Sequence, residues 1–407
     1  MSQQGPILVV SHAERPAFAA ALDEAKLFPV IDADWGTAPR AIAQVGPAAV
    51  IADARGATEA QLAALAGQAA EREPYLPLIV VDPTRRLPGN ALPFSQAEGS
   101  FDRLIARLRA TLRVRSLHTT VMRRSDRLAA DRLPALELAR DATALLIGRG
   151  ASYPALSVAL GQQIGVIGAL SIEAAAKHLS TRDIDGIVLG DGFTARVIDA
   201  FLTVLTEDAR FRNLPVVVTS QGLASAYDLP NLEIIVGEPA LVAANAMPLI
   251  RQRAFEAQLS RTLRSIDAGG LLDPKSGLLT PDAFARDFAT AVYQTLSRGG
   301  GLSVARFAFD PAHPRAQLDG ARIIGRLMRQ MDFGALREDG SVMVVFAETD
   351  LRTAHAIARR LSSVMRHTSH GKRDLFEPVV SVATLSPSDT AASLMARLCE
   401  EAPRVVA

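Results

Sequence analysis

The sequence predicts an α/β protein of three units joined by long helices, and three observations carry that prediction. Short apolar runs alternate with helical segments in two successive rounds of the same rhythm. A long arginine-rich amphipathic stretch follows each round, and a third stretch of mixed strands and helices closes the chain. Strands alternating with helices argue for parallel sheets built from βα units. A chain of 407 residues also exceeds what one hydrophobic core usually organises.

In order, the first round reads ILVV (7–10), a helix near Pro16 to Leu27, FPVI (28–31), AAVIAD (48–53), a helix near Thr58 to Arg72, and PLIVVD (77–82). Phe101 to Asp131 has neither Gly nor Pro and repeats leucine or valine at helical spacing among arginines, which predicts one long helix. The second round runs ALLIG (144–148), a helix after Pro154, GVIGAL (165–170), a helix over Ile172 to Leu179, GIVLGD (186–191), PVVVTS (215–220) and LEIIVG (232–237). Another long helix is expected from about Ala240 to Ile266, before Gly269 and Gly270. These two helices read as stalks with solvated arginine faces.

Composition bounds the function. With 49% hydrophobic and 21% charged residues, mean hydropathy +0.17 and no long uncharged apolar run, the chain reads as globular, with no membrane span. MSQQGPILVV has no basic region before its apolar stretch, so it reads as a first strand and not a signal peptide, with a cytoplasmic location expected. Cys399 is the only cysteine, which excludes an internal disulfide and a cysteine zinc cage. Arg outnumbers Lys 40 to 4, yet the net charge is +1 and no Phe, Tyr or Trp stands among the arginines of the first long helix, so nucleic acid is not an expected partner.

Each parallel-sheet round carries an aspartate, Asp53 and Asp191, at the end of its third strand. In this they resemble doubly wound, flavodoxin-like receiver domains, whose phosphoacceptor stands there. That family adds an acidic pair after strand one for Mg²⁺, a hydroxyl after strand four and Lys-Pro after strand five. Here the first positions are Ser11-His12 and Gly148-Arg149, and the last are Leu92-Pro93 and Glu238-Pro239. Ser220 keeps a hydroxyl, whereas Asp82 takes its place in the first round. The rounds therefore read as docking or dimerisation modules in which Asp53 and Asp191 are not phosphorylated.

The last third opens with Asp273-Pro274-Lys275-Ser276-Gly277-Leu278-Leu279-Thr280 and Phe284, similar to the opening motif of GGDEF domains. Glu338-Asp339-Gly340-Ser341, then Val342 to Ala347 and the acidic turn Glu348 to Asp350, align on the GGDEF signature and its strand. The resemblance implies an α/β, nucleotidyl-cyclase-like domain whose active members hold two metals on an aspartate and a signature acid. Those positions are Ala308 and Gly340 here, and Glu338 and Asp339 replace the glycines that admit a triphosphate. Cyclase activity is not expected. Asp339-Gly340 between apolar runs still suits a hairpin turn.

Arg329 and Asp332 lie five residues before the signature, matching the RxxD site where such domains bind cyclic di-GMP, and Arg360 matches a further basic position. A guanidinium can donate bidentately to guanine or phosphate, and a carboxylate can accept from guanine N1 and N2. The expected organisation is a receiver-like domain over residues 1–122, a linker helix at 123–140, a second receiver-like domain at 141–252, a linker helix at 253–272 and a degenerate GGDEF domain at 273–407. This order resembles receiver-receiver-GGDEF response regulators, in particular their PopA-like non-cyclase members. It implies a cyclic di-GMP effector with no cofactor, a homodimer through the receiver-like domains, and signalling or proteolysis-adaptor partners at a cell pole in cell-cycle control. The alternatives are a scaffold that no longer binds nucleotide and, less favoured, an active cyclase.

Overall fold

The computed structural model describes residues 5–12, 15–26, 28–95, 101–127, 142–220, 227–298, 301–310, 312–329, 331–368 and 378–400. The chain forms two compact units: one is Met1–Ala175 with Ile184–Leu259, the other Ala176–Asp183 with Ser260–Ala407. The expected linker over 123–140 is helical up to Arg127, and its remainder lies outside the described residues.

Unit 1 holds both parallel sheets. The first contains β1 (Ile7–Ser11), β2 (Val30–Asp34), β3 (Ala49–Asp53), β4 (Leu78–Val81) and β5 (Ala91–Phe94) in the order β2-β1-β3-β4-β5. The second contains β6 (Thr143–Ile147), β7 (Gly165–Ala169), β8 (Gly186–Leu189), β9 (Val216–Val218) and β10 (Leu232–Ile234) in the order β10-β9-β8-β6-β7. Read from the second strand of each, both give the doubly wound order 2-1-3-4-5. Strands β1, β3, β4 and β6 are buried throughout because helices cover both faces, which explains their unbroken apolar runs.

The connecting helices are α1 (Ala17–Glu24), α2 (Ala38–Val45), α3 (Glu59–Ala70), α5 (Tyr153–Gly161), α6 (Ile172–Thr181) and α7 (Ala195–Glu207). Thr58 starts α3 with a reciprocal capping box to Gln61. The two long helices are α4 (Asp102–Arg127) and α8 (Pro239–Asp267). Neither begins as a free stalk. Leu104, Leu108 and Leu112 of α4 share one apolar cluster with Val242, Ala246 and Ile250 of α8. Arg107 is fully buried, which corrects the expectation of a solvated arginine face.

Unit 2 contains α9 (Pro281–Arg298), β11 (Leu302–Ala308), α10 (Pro314–Leu327), β12 (Phe333–Leu336), β13 (Val342–Ala347), α11 (Leu351–Thr368), β14 (Val379–Thr384) and α12 (Ala391–Glu400). Its sheet is antiparallel, in the order β12-β13-β11-β14. Phe284 and Phe288 of α9 and Leu394 of α12 pack on one face against Val304 and Val345. Ile324 of α10 and Leu361 of α11 pack on the other against Phe307 and Val344. No helix among the described residues is long and apolar enough to cross a membrane.

Candidate functional site

The strand ends of unit 1 hold the two aspartates in occupied surroundings. Asp53 is nearly buried at the end of β3, and Arg55 saturates its carboxylate: Nε lies 3.0 Å from both oxygens, Nη2 2.7 Å from Oδ2, and the Arg55 amide 3.0 Å from Oδ1. Asp191 lies two residues beyond the end of β8, whereas the sequence places it on the strand. The loop after β6 closes over it. Arg149 and Gly150 amides donate to its carbonyl at 3.1 and 3.2 Å, and a Cβ on Gly150 would lie only 2.5 Å from that of Asp191.

Ser152 Oγ donates to Asp191 Oδ2 at 2.6 Å. Thr219 Oγ1 lies 3.4 Å from Oδ1, so Thr219, and not the Ser220 singled out from sequence, supplies the contact after strand four. Oxygens already held by a guanidinium at Asp53 and by hydroxyls at Asp191 compete with the Mg²⁺ and cationic shell that phosphoryl transfer needs. Acetyl phosphate should therefore leave neither half stably labelled. Label that is lost on Asp53→Asn or Asp191→Asn would overturn this expectation.

In unit 2 the signature segment forms the turn between β12 and β13. Gly340 N donates to Arg337 O at 2.9 Å, and Arg337 N to Ser341 O at 2.8 Å. The loop therefore includes Glu338 as well as the Asp339-Gly340 pair read from sequence. Gly340 has φ 77°, the left-handed closing conformation that glycine supplies in such hairpins. A Cβ at Gly340 would also overlap the amide of Gln317 on α10, so the space beside this position is filled.

Asp339 is held by Ser341 and by Arg306 Nη2 at 3.0 Å. Burial pushes its carboxyl up, but these bonds outweigh burial and hold it below the ordinary carboxylate range. Ala308 ends β11, and Asp310 accepts from the Ala312 amide at 2.9 Å, with His313 Nδ1 at 3.1 Å, as α10 begins. Among the described residues, no group of three or more His, Cys, Asp or Glu could hold a metal. Beside the turn lies a cleft of ≈ 620 Å³ floored by Phe284, Phe288, Leu336 and Met395, with Arg337 and Glu338 at its rim. An apolar floor whose edge sets the carboxylates of Glu338 and Asp339 against the one guanidinium of Arg337 suits a triphosphate poorly.

The RxxD residues occupy a turn beyond the end of α10, which stops at Leu327 where Met328 turns extended, with ψ 152°. Asp332 N donates to Arg329 O at 3.1 Å, which closes that turn. Arg329 is exposed, whereas Asp332 is nearly buried and accepts from Ala347 N at 3.2 Å. Burial pushes the Asp332 carboxyl up, partly offset by backbone donors and by Arg329. Arg360 is exposed on α11, which packs on the same face of the sheet as α10. The turn thus brings Arg329 and Asp332 together, while Arg360 comes from a separate element.

The raised Asp332 carboxyl has a definite sign. Its protonated form is favoured by folding, so its contribution to stability is full below the unfolded pKa and is lost as pH rises through the folded one. A ligand that needs the carboxylate as acceptor should therefore weaken on acidification at a higher pH than an ordinary aspartate would dictate. Affinity measured against pH should show this loss, and Asp332→Asn should flatten it.

No protein-family model matches the chain, and no curated protein matches it. Among solved structures, a sensory box/GGDEF family protein from Caulobacter crescentus CB15 is 20% identical, covering 32% of this chain and 93% of its own, at TM-score 0.28. The FimX GGDEF domain from Pseudomonas aeruginosa is 18% identical over 32% of this chain and 89% of its own, at TM-score 0.29. The coiled coil and GGDEF domain of DgcB from Caulobacter crescentus, in complex with c-di-GMP, is 16% identical over 35% of this chain and 83% of its own, at TM-score 0.29.

Proposed function

We propose that the chain is a non-catalytic signalling effector that binds cyclic di-GMP at Arg329, Asp332 and Arg360 and passes that state to protein partners. The observation that carries this reading is the Arg329–Asp332 turn. It keeps an exposed guanidinium and a carboxylate together just before β12, while the adjacent β12–β13 turn has Gly340, against Gln317, where a cyclase needs an acid. The donors suit guanine and phosphate edges, and the carboxylate suits guanine N1 and N2. Unit 2 then acts as a degenerate GGDEF sensor, and the receiver-like halves of unit 1 as docking modules for signalling or proteolysis-adaptor partners.

Calorimetric titration of the full-length protein with cyclic di-GMP tests the reading, and saturable binding is the expected result. A folded protein that takes up no cyclic di-GMP would make the chain a scaffold. That second reading is favoured by one observation, the engagement of Asp332 by the Ala347 amide. Incubation with GTP and Mg²⁺ or Mn²⁺ should yield no cyclic di-GMP above a control without protein, since Ala308 and Gly340 offer no carboxylate to a metal.

A further inference from the structure

Within unit 1 each sheet ends on an edge strand, β5 or β10, and an open edge is a template for another chain. Both edges meet at Arg107. Its Nη1 donates to Pro93 O of β5 at 2.6 Å, its Nε to Pro230 O at 2.6 Å, and its Nη2 to Glu233 Oε1 of β10 at 2.8 Å. Glu233 is also fully buried, and its Oε2 accepts from Ser95 N at 2.9 Å. Farther out, the Leu87 amide donates to Asn245 Oδ1 at 3.3 Å, Gln252 Nε2 to the Tyr75 hydroxyl at 3.1 Å, and Phe255 meets Tyr75 edge-on at 5.5 Å.

We propose that the face made by β5 and α4 is a docking surface whose partner is built into the same chain, the face made by β10 and α8. Unit 1 is then a permanent pair of unlike halves that forms without a phosphoryl signal and leaves this face closed to a second copy. Charge selects the partner. Arg103 to Arg124 of α4 includes arginines but no acidic residue, and β5, Ala91–Phe94, is uncharged. On the other half, α8 is uncharged from Pro239 to Ile250, and the carboxylates of this half at the contact are Glu233 at the buried centre and Glu256 farther along, 3.5 Å from Arg113 of α4.

A two-fold interface sets each surface against its own copy. Two first halves would bury Arg107 with no carboxylate opposite, and two second halves would bury Glu233 with no guanidinium. A buried charge stripped of its partner is strongly disfavoured, so only unlike halves complement each other. A homodimer of this protein would have to use a different face.

Hydrogen exchange of the full-length protein, with its mass followed by light scattering over a wide concentration range, tests the proposal. Protection of β5 and β10 should not change on dilution. Glu233→Arg sets two like charges together and should raise exchange in both strands by more than about tenfold. Arg107→Glu combined with Glu233→Arg should restore much of the protection, which separates a broken pair from a protein that cannot fold. Protection that falls as a dimer dissociates would place the pairing between copies and overturn the proposal. So would a Glu233→Arg protein with unchanged exchange, or a charge-exchanged protein no better protected than the single variants.

Discussion

Glu233→Ala is expected to destabilise unit 1 by about 3–5 kcal/mol, the usual cost of leaving one member of a buried ion pair without its partner. The guanidinium of Arg107 would remain fully buried, held only by backbone carbonyls. The Ser95 amide would lose its acceptor at the same time. Trp35 is the sole tryptophan and sits in the core of the first sheet, so its fluorescence during urea unfolding reads this unit directly. Arg107→Met combined with Glu233→Leu should recover most of the loss, because an apolar pair of similar volume needs no compensation for desolvated charge. A Glu233→Ala midpoint equal to wild type would show that the pair is relaxed by water.

The second large effect is on ligand affinity. Arg329→Ala should weaken cyclic di-GMP by about 1.5–3 kcal/mol, or roughly 10- to 150-fold, because a charge-assisted and bidentate donor is removed. Arg329 is exposed, so the substitution should leave the melting temperature within about 1 °C of wild type. Arg329→Lys should not rescue binding, since an ammonium keeps the charge but not the planar fork. Asp332→Ala is less clean: it also removes the acceptor for the Ala347 amide, so affinity and stability should fall together. Calorimetry beside a thermal melt separates the two effects. An Arg329→Ala protein that binds as tightly as wild type would move the ligand site elsewhere.

Residues differ in how openly the sequence displays them. The strands β1, β3, β4 and β6 are legible as continuous apolar runs because both of their faces are covered. The run FPVI is misplaced, since β2 is Val30–Asp34, a partly exposed edge strand whose VIDAD pattern alternates. Helices α2 and α7 escape the sequence reading of the two rounds, and Leu92-Pro93, read as following strand five, lie within β5, where Pro93 is tolerated because the strand is an edge. Arg55 stands two residues from Asp53 and is visible in the sequence, but that it clamps both carboxylate oxygens is a matter of side-chain geometry.

What the sequence by itself determined is local: the alternation that builds two parallel sheets, the glycine that closes the β12–β13 turn, the alanine at 308 and glycine at 340, and the presence of Arg329, Asp332 and Arg360. Each is set by backbone preference or by residue type within a few positions. The tertiary structure alone decided that Arg107 and Glu233, far apart in the chain, meet with both side chains buried, that Gln317 fills the space beside Gly340, and that Asp332 is buried against the Ala347 amide. A charged residue on an amphipathic helix reads as solvated until another element covers it. Burial and pairing are properties of packing between distant segments, and no local pattern encodes them.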